Sequence, residues 1–200
     1  MADDRRRDST EEIFAAPIAN VEALRGALQQ SLASGEANAI MVGNCAIIAK
    51  KKRAILYKNG HTLPTSAQVL LAEAESNIQH SRKLARNLQR GNPGQVRPQG
   101  TDAHHIVACE AAAAHPSRVL IFSVGIGIND ADNGVLLPRS ASNNVPSMDS
   151  ASAHQNIHTN TYHANVVAEL YGVDNLGDAK EIRGILRSIS GFLVRGTFIF

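Results

Sequence analysis

The chain has 200 residues, 44% of them apolar, which is enough to bury one sizeable core, or one core with a helical appendage. Charged residues make up 19% and the net charge is only +2, so a nucleic-acid partner cannot be read from global charge and would need a local basic patch. Aromatics amount to 4% with no tryptophan, which argues against base-stacking platforms as the way a substrate is held.

Cys45 and Cys109 form neither a metal-ligand spacing nor a disulfide framework. They read as buried free thiols, with a single disulfide left open, and fit a reducing compartment. Met1–Glu12 is charged and hydrophilic, unlike a secretory leader. The longest apolar run, Val119–Ile128, is about ten residues, where spanning a bilayer takes roughly 18. The chain therefore reads as soluble, and any export would rely on something other than a cleaved leader.

Residues 1–18 lack an apolar period, and Pro17 stops whatever precedes it. Asn20 caps a predicted amphipathic helix carrying Val21, Leu24, Leu28 and Leu32, closed by Gly35. Ala37–Leu56 is strand or buried helix, interrupted by Lys50-Lys51-Lys52-Arg53, which reads as a solvated edge or a phosphate-contacting patch. Asn59-Gly60 is a turn. Thr65 or Ser66 caps one long helix toward Gln89, with Arg82, Lys83, Arg86 and Arg90 in its last turns, suited to a helix C-terminus or to phosphate contact.

Gly91-Asn92-Pro93-Gly94, extended by Pro98 and Gly100, is the best candidate boundary, which divides the chain into a helical region of unknown role (1–95) and a second domain (96–200). Beyond it, Ala103–Val107 reads as a strand, Cys109–Ala114 as a helical turn ending near Pro116, and Val119–Ile128 as a strand loosened by Gly125 and Gly127. Asn133-Gly134 is a hairpin signal, Val135–Leu137 a strand stopped by Pro138, and Arg139–Ser150 a Ser/Asn-rich loop. A helix starting between Ser152 and Thr159 should end at Gly172, a further one covers Asp178–Ser190, and Phe192–Phe200 reads as a terminal strand. The class is α+β.

Chemistry concentrates in two places. In Asp102-Ala103-His104-His105-Ile106-Val107, adjacent histidines on an extended segment face opposite ways, so one can turn toward a metal and its neighbour toward a reacting water. His154 and His158 stand four apart, a spacing at which one helix face brings two imidazoles to one divalent ion. His163 would point to another face, and His61, His80 and His115 read as structural or solvated.

Those blocks, with Asn129-Asp130-Ala131-Asp132-Asn133-Gly134-Val135-Leu136-Leu137-Pro138 between them and Tyr162 after, closely resemble the AHH family of nucleases. That family belongs to the HNH/endonuclease VII superfamily, and the resemblance covers roughly residues 97–175. It implies a ββα-metal finger embedded in a mainly helical chain. It also implies a one-metal endonuclease that cuts DNA with little sequence specificity, leaving 5′-phosphate and 3′-hydroxyl ends. His104, His154 and His158 would be the metal ligands and His105 the general base, with Asn133 orienting His105 or approaching the metal. Arg139 is the nearest candidate to steady the scissile phosphate.

Three imidazoles suit Zn²⁺, Ni²⁺ or Co²⁺, whereas phosphate chemistry is compatible with Mg²⁺ or Mn²⁺. The family's setting implies an antibacterial toxin or effector, made in a bacterial cytoplasm, exported into a target cell and paired with an immunity protein. Two alternatives stay open: a nuclease of the same mechanism that prefers RNA, and a metal-binding interaction module without catalysis.

Overall fold

In a computed structural model that describes residues 54–200, the chain begins with a small antiparallel ribbon of Tyr57–Lys58 (β1) and His61–Thr62 (β2). Asn59-Gly60 makes its turn with both φ angles positive (51° and 81°), as a tight two-residue hairpin demands. Ala67–Ala74 (α1) and His80–Gly91 (α2) follow. The expected single helix is thus two helices. The first ends where Ser76 turns its hydroxyl and its N–H back onto the Glu73 carbonyl (2.6 and 3.0 Å), so the helix end is satisfied without continuation.

The centre of the fold is a two-stranded antiparallel sheet of Thr101–His105 (β3) and Gly134–Pro138 (β4), with Ala103 opposite Leu136, His104 opposite Val135 and His105 opposite Gly134. Asn133-Gly134 is not a tight turn between them. Residues 106–133 form the link, and Asn133 ends a single 3₁₀ turn, Ala131–Asn133, immediately before β4. Within that link lie the 3₁₀ turn Ala112–Ala114 and the helix His115–Ser123 (α3), where a loosened strand was expected. Pro116 occupies the first turn of α3, a position whose N–H has no helical partner to lose, so it opens the helix rather than ending the preceding turn.

The Ser/Asn-rich stretch after β4 holds no regular element until the 3₁₀ turn His154–Asn156. Asn160–Tyr171 (α4) starts at the later of the two expected positions, capped by the Thr159 hydroxyl, which accepts from the Tyr162 N–H at 3.0 Å, and it closes at Gly172. Ala179–Arg195 (α5) is capped by Asp178 and stopped by Gly196 in the left-handed region (φ 66°). The expected terminal strand is absent: Phe192–Arg195 is the last turn of α5, and no strand follows it among residues 196–200. The period Ile182, Leu186, Ile189, Leu193 continues past Ser190, and all four side chains are fully buried.

Ile55, Leu70 and Ala74 share one core cluster with Ile106, Leu137, Tyr162 and Leu186, so residues 54–91 and the later elements bury apolar surface together. The Gly/Pro stretch at 91–100, expected to mark a boundary at 95/96, lies inside the unit Ala54–Phe200. Helix α2 packs on β3, and its Leu84 side chain fills the place that a Cβ of Gly134 would occupy, 2.6 Å from Leu84 Cδ1. The predicted helix Asn20–Gly35, the segment Ala37–Arg53 with its basic run, and Cys45 lie outside the described residues. No helix among the described residues is long and apolar enough to cross a membrane.

An ion-pair knot ties α5 to the 3₁₀ turn before β4. Asp130, fully buried, accepts from the Thr62 N–H (2.7 Å) and from both Nη atoms of Arg183 (2.9 and 3.0 Å). Asp132 takes Arg187 in a two-pronged grip (2.7 and 3.1 Å) and Arg183 Nη1 at 2.6 Å. Burial alone would raise the Asp130 carboxyl, but Arg183 and the Thr62 N–H outweigh it and hold it below the usual range.

Two outcomes follow for stability. Leu84→Ala empties a fully buried site and is expected to cost about 2–5 kcal/mol in urea unfolding. Arg183→Met leaves the Asp130 carboxylate buried without its main partner, a loss of about 3–5 kcal/mol at pH 7. Because the Asp130 value is depressed, its stabilisation is full at neutral pH and fades as pH falls below about 4. The stability gap between wild type and Arg183→Met should therefore narrow in unfolding curves taken toward pH 3.

Candidate active site

Strand alternation sends His104 and His105 to opposite faces of the β3–β4 sheet. His104 is completely buried and meets the rings of His154 (centroid separation 5.1 Å), His158 (5.0 Å) and Tyr162 (5.6 Å). His154 and His158 are themselves 5.3 Å apart, and one ring nitrogen from each of the three histidines lies within 4.8 Å of the others. The expected shared helix face is absent. His154 belongs to a 3₁₀ turn and His158 precedes the Thr159 cap, so the chain entering α4, rather than the helix itself, brings them together.

The Tyr162 hydroxyl defines how His104 is used. Its proton can go only to the Ile106 carbonyl (3.0 Å), because a carbonyl cannot donate. Its oxygen therefore accepts from His104 Nε2–H at 2.9 Å. That assigns the tautomer and leaves the other nitrogen, Nδ1, with a lone pair, buried and without any protein partner. An orphaned imidazole nitrogen beside two further imidazoles fits a divalent ion bound by three nitrogens. Burial foremost, then the neighbouring histidines, keeps His104 well below its ordinary value and so neutral, and burial likewise lowers His154 and His158. Asp102 sits behind His154, with an oxygen 3.8 Å from Nδ1.

His105 and the pair His154 and His158 line one cleft of roughly 470 Å³, together with His80, Ser81 and Cys109. Desolvation, offset in part by a hydrogen bond to Asn129, brings His105 down to about 4, so it is a neutral base at ordinary pH. Cys109 is pushed up to about 12, by burial first and by Glu110 next, so its thiolate is suppressed.

The Asn133 carboxamide, expected to orient His105 or approach the metal, bonds to backbone and not to the His105 ring. Its Oδ1 accepts from the Val107 N–H (2.8 Å) and its Nδ2 donates to the carbonyls of Ile128 (2.8 Å) and Val107 (3.2 Å). Fully buried and fully used, the carboxamide staples the two ends of the 106–128 segment and places the backbone that carries the doublet. Asn129 takes the orienting position instead, its Oδ1 3.2 Å from His105 Nε2. Arg139 is exposed and its guanidinium is engaged by Asp102 at 3.1 and 3.3 Å. His163 is buried, 6.5 Å from the His158 ring centre, and belongs to no group of converging ligand atoms.

A second trio, His61, Asp130 and Asp132, also brings ligand-type atoms together, but Arg183 occupies the space between them and already neutralises the carboxylates. Glu73 carried no sequence signal beyond lying on a helix, whereas Asn129 and Tyr162 were both visible in the motif without a role.

No curated protein and no solved structure matches this chain. Residues 85–190, however, match the family model AHH, described as a nuclease family of the HNH/ENDO VII superfamily with conserved AHH, a triplet present here as Ala103-His104-His105. With that match spanning more than half of the sequence, and with β3, β4 and α4 arranged as ββα around the histidines of β3 and of the chain entering α4, the chain belongs to the AHH nucleases.

Proposed function

We propose that the protein is a metal-dependent endonuclease that hydrolyses DNA phosphodiester bonds with little sequence specificity. The observation that carries this is the three-imidazole cluster, two of whose members, His154 and His158, line the same cleft as a fourth, neutral imidazole, His105. A closed structural site would draw in a fourth ligand, and none joins the cluster among the described residues.

In this reading His104, His154 and His158 hold the ion, which when bound stabilises the charge that develops on the phosphate as a Lewis acid. His105 accepts a proton from the attacking water as its oxygen bonds to phosphorus and the bond to the 3′ oxygen breaks. Asn133 serves the reaction through the backbone it staples. Arg139 is held beside His154 by an exposed ion pair to Asp102, a weak interaction that a phosphate can displace.

Beyond His154 the cleft continues into a groove along α2 lined by Arg82, Arg86 and Arg97. Arg82 and Arg86 are exposed and pair with no carboxylate among the described residues, which suits them to a nucleic-acid backbone. The role as an antibacterial toxin with a cognate immunity protein rests on the setting in which nucleases of this kind occur.

His105→Ala, with its fold checked by circular dichroism, is expected to lower plasmid cleavage by at least about 100-fold, in keeping with loss of a general base. Retention of nicking under matched metal and protein would remove His105 from the mechanism. Parallel digests of purified RNA and DNA identify the preferred polymer. Tyr162→Phe removes the acceptor for His104 Nε2–H and is expected to weaken Zn²⁺ binding about 10–100-fold in a chelator-competition titration.

A further inference from the structure

Asn129 is completely buried, and every hydrogen-bonding direction of its carboxamide is determined by its neighbours. Glu73 is a carboxylate acceptor whose Oε1 lies 2.6 Å from Asn129 Nδ2, so the amide nitrogen, not the oxygen, faces it. His80 Nε2 is 3.1 Å from the Ser76 carbonyl and must donate to it, which leaves His80 Nδ1 as an acceptor. That nitrogen lies 3.0 Å from Asn129 Nδ2 and 3.3 Å from Asn129 Oδ1, and as an acceptor it can take only the second amide proton. With both protons placed, only Oδ1 remains for His105, 3.2 Å from its Nε2. An amide oxygen can only accept. His105 Nε2 therefore carries the hydrogen, and Nδ1 is its lone-pair nitrogen.

Most anchors of this arrangement, Tyr57, Glu73, His80 and Lys83, come from the segment before the matched family region, and Asn87 lies at its start. Glu73 is held by the Tyr57 hydroxyl (2.7 Å to Oε1) and by Lys83 Nζ (2.7 Å to Oε2), and the Asn129 carbonyl accepts from Asn87 Nδ2 at 2.7 Å. At the break between α1 and α2 the Ser76 carbonyl accepts from the Ile78 N–H (2.8 Å) and from the His80 ring, whereas a continuous helix would have directed it at the backbone N–H of His80. An isolated carboxamide beside His105 would be free to flip and offer its NH₂ to the ring, reversing the tautomer. Glu73 and His80 prevent the flip.

We propose that Asn129, locked by Glu73 and His80, is the positioning residue that fixes His105 in its Nε2–H tautomer and so makes Nδ1 its proton-accepting nitrogen. The catalytic part of this rests on His105 being the base, whereas the tautomer itself does not. Residues 54–91 are then part of the working site, not an appendage to it.

The test uses the full-length chain and reads the ring directly. Long-range ¹H–¹⁵N spectra of metal-free wild type are expected to show His105 as the Nε2–H form. Asn129→Ala and Glu73→Ala are expected to shift it toward a mixture and to lower kcat on plasmid about 10–100-fold, with KM and Zn²⁺ affinity within about twofold of wild type. Glu73→Gln keeps the oxygen shared by Asn129 and Tyr57 and is expected to restore the wild-type tautomer. If Asn129→Ala does not fold, the Glu73→Ala and Glu73→Gln pair makes the same comparison with Asn129 in place. An unchanged His105 tautomer in the folded alanine variants, or a loss confined to KM, overturns the proposal. Cleavage surviving His105→Ala would instead overturn the assignment of the base, and the spectra would still judge the tautomer.

Discussion

Buried imidazoles must spend each nitrogen on something, and in this fold His104 spends only one. Its Nε2–H goes to the Tyr162 hydroxyl, whose own proton goes to the Ile106 carbonyl, and Nδ1 has no protein partner in a ring that lies against His154 and His158. Such an atom costs free energy in a folded protein unless a ligand completes it. The sheet that carries His104, the cap that starts α4 and the short turn at His154 all serve to bring its ring to the other two.

The two faces of one short strand do different work. On one, His104 meets the chain entering α4. On the other, His105 meets a polar cluster built from α1, α2 and the turn before β4. Both faces are polar and largely buried, so each group in them needs a partner of defined direction, and the directions propagate. Tyr162 assigns the tautomer of His104, and Asn129 assigns that of His105. In the same region Asn133 holds backbone and Arg183 neutralises two carboxylates, so neither competes for an ion.

Much of the fold could be read from local pattern. The side-chain caps at Thr159 and Asp178 and the turn at Asn59-Gly60 use what their residue types offer, and the helix bounds at Ser66 and Gly172 fall where the pattern puts them. Where structure and local pattern differ, the cause is shared: a local signal takes its meaning from surroundings that the chain supplies only on folding. Pro116 stops a helix or opens one depending on which side the helix lies. Asn133-Gly134 makes a tight turn only if its flanking strands are neighbours in sequence, and here residues 106–133 intervene. The α1–α2 break came from Ser76 satisfying the helix end, which propensity cannot anticipate.

What the sequence determined by itself was the family, since a His-His doublet, an Asn-Gly-x-x-Leu-Pro block and a spaced histidine pair are covalent facts that need no coordinates. The extended doublet also dictated that its two rings would part, because alternation along a strand is local geometry. Only the tertiary structure decided which asparagine faces His105, which nitrogen of His104 lacks a partner, and that Glu73 and His80 reach the site at all. Those outcomes depend on hydrogen-bond directions between groups 24 to 58 positions apart, and chain order carries no record of where a buried proton must point.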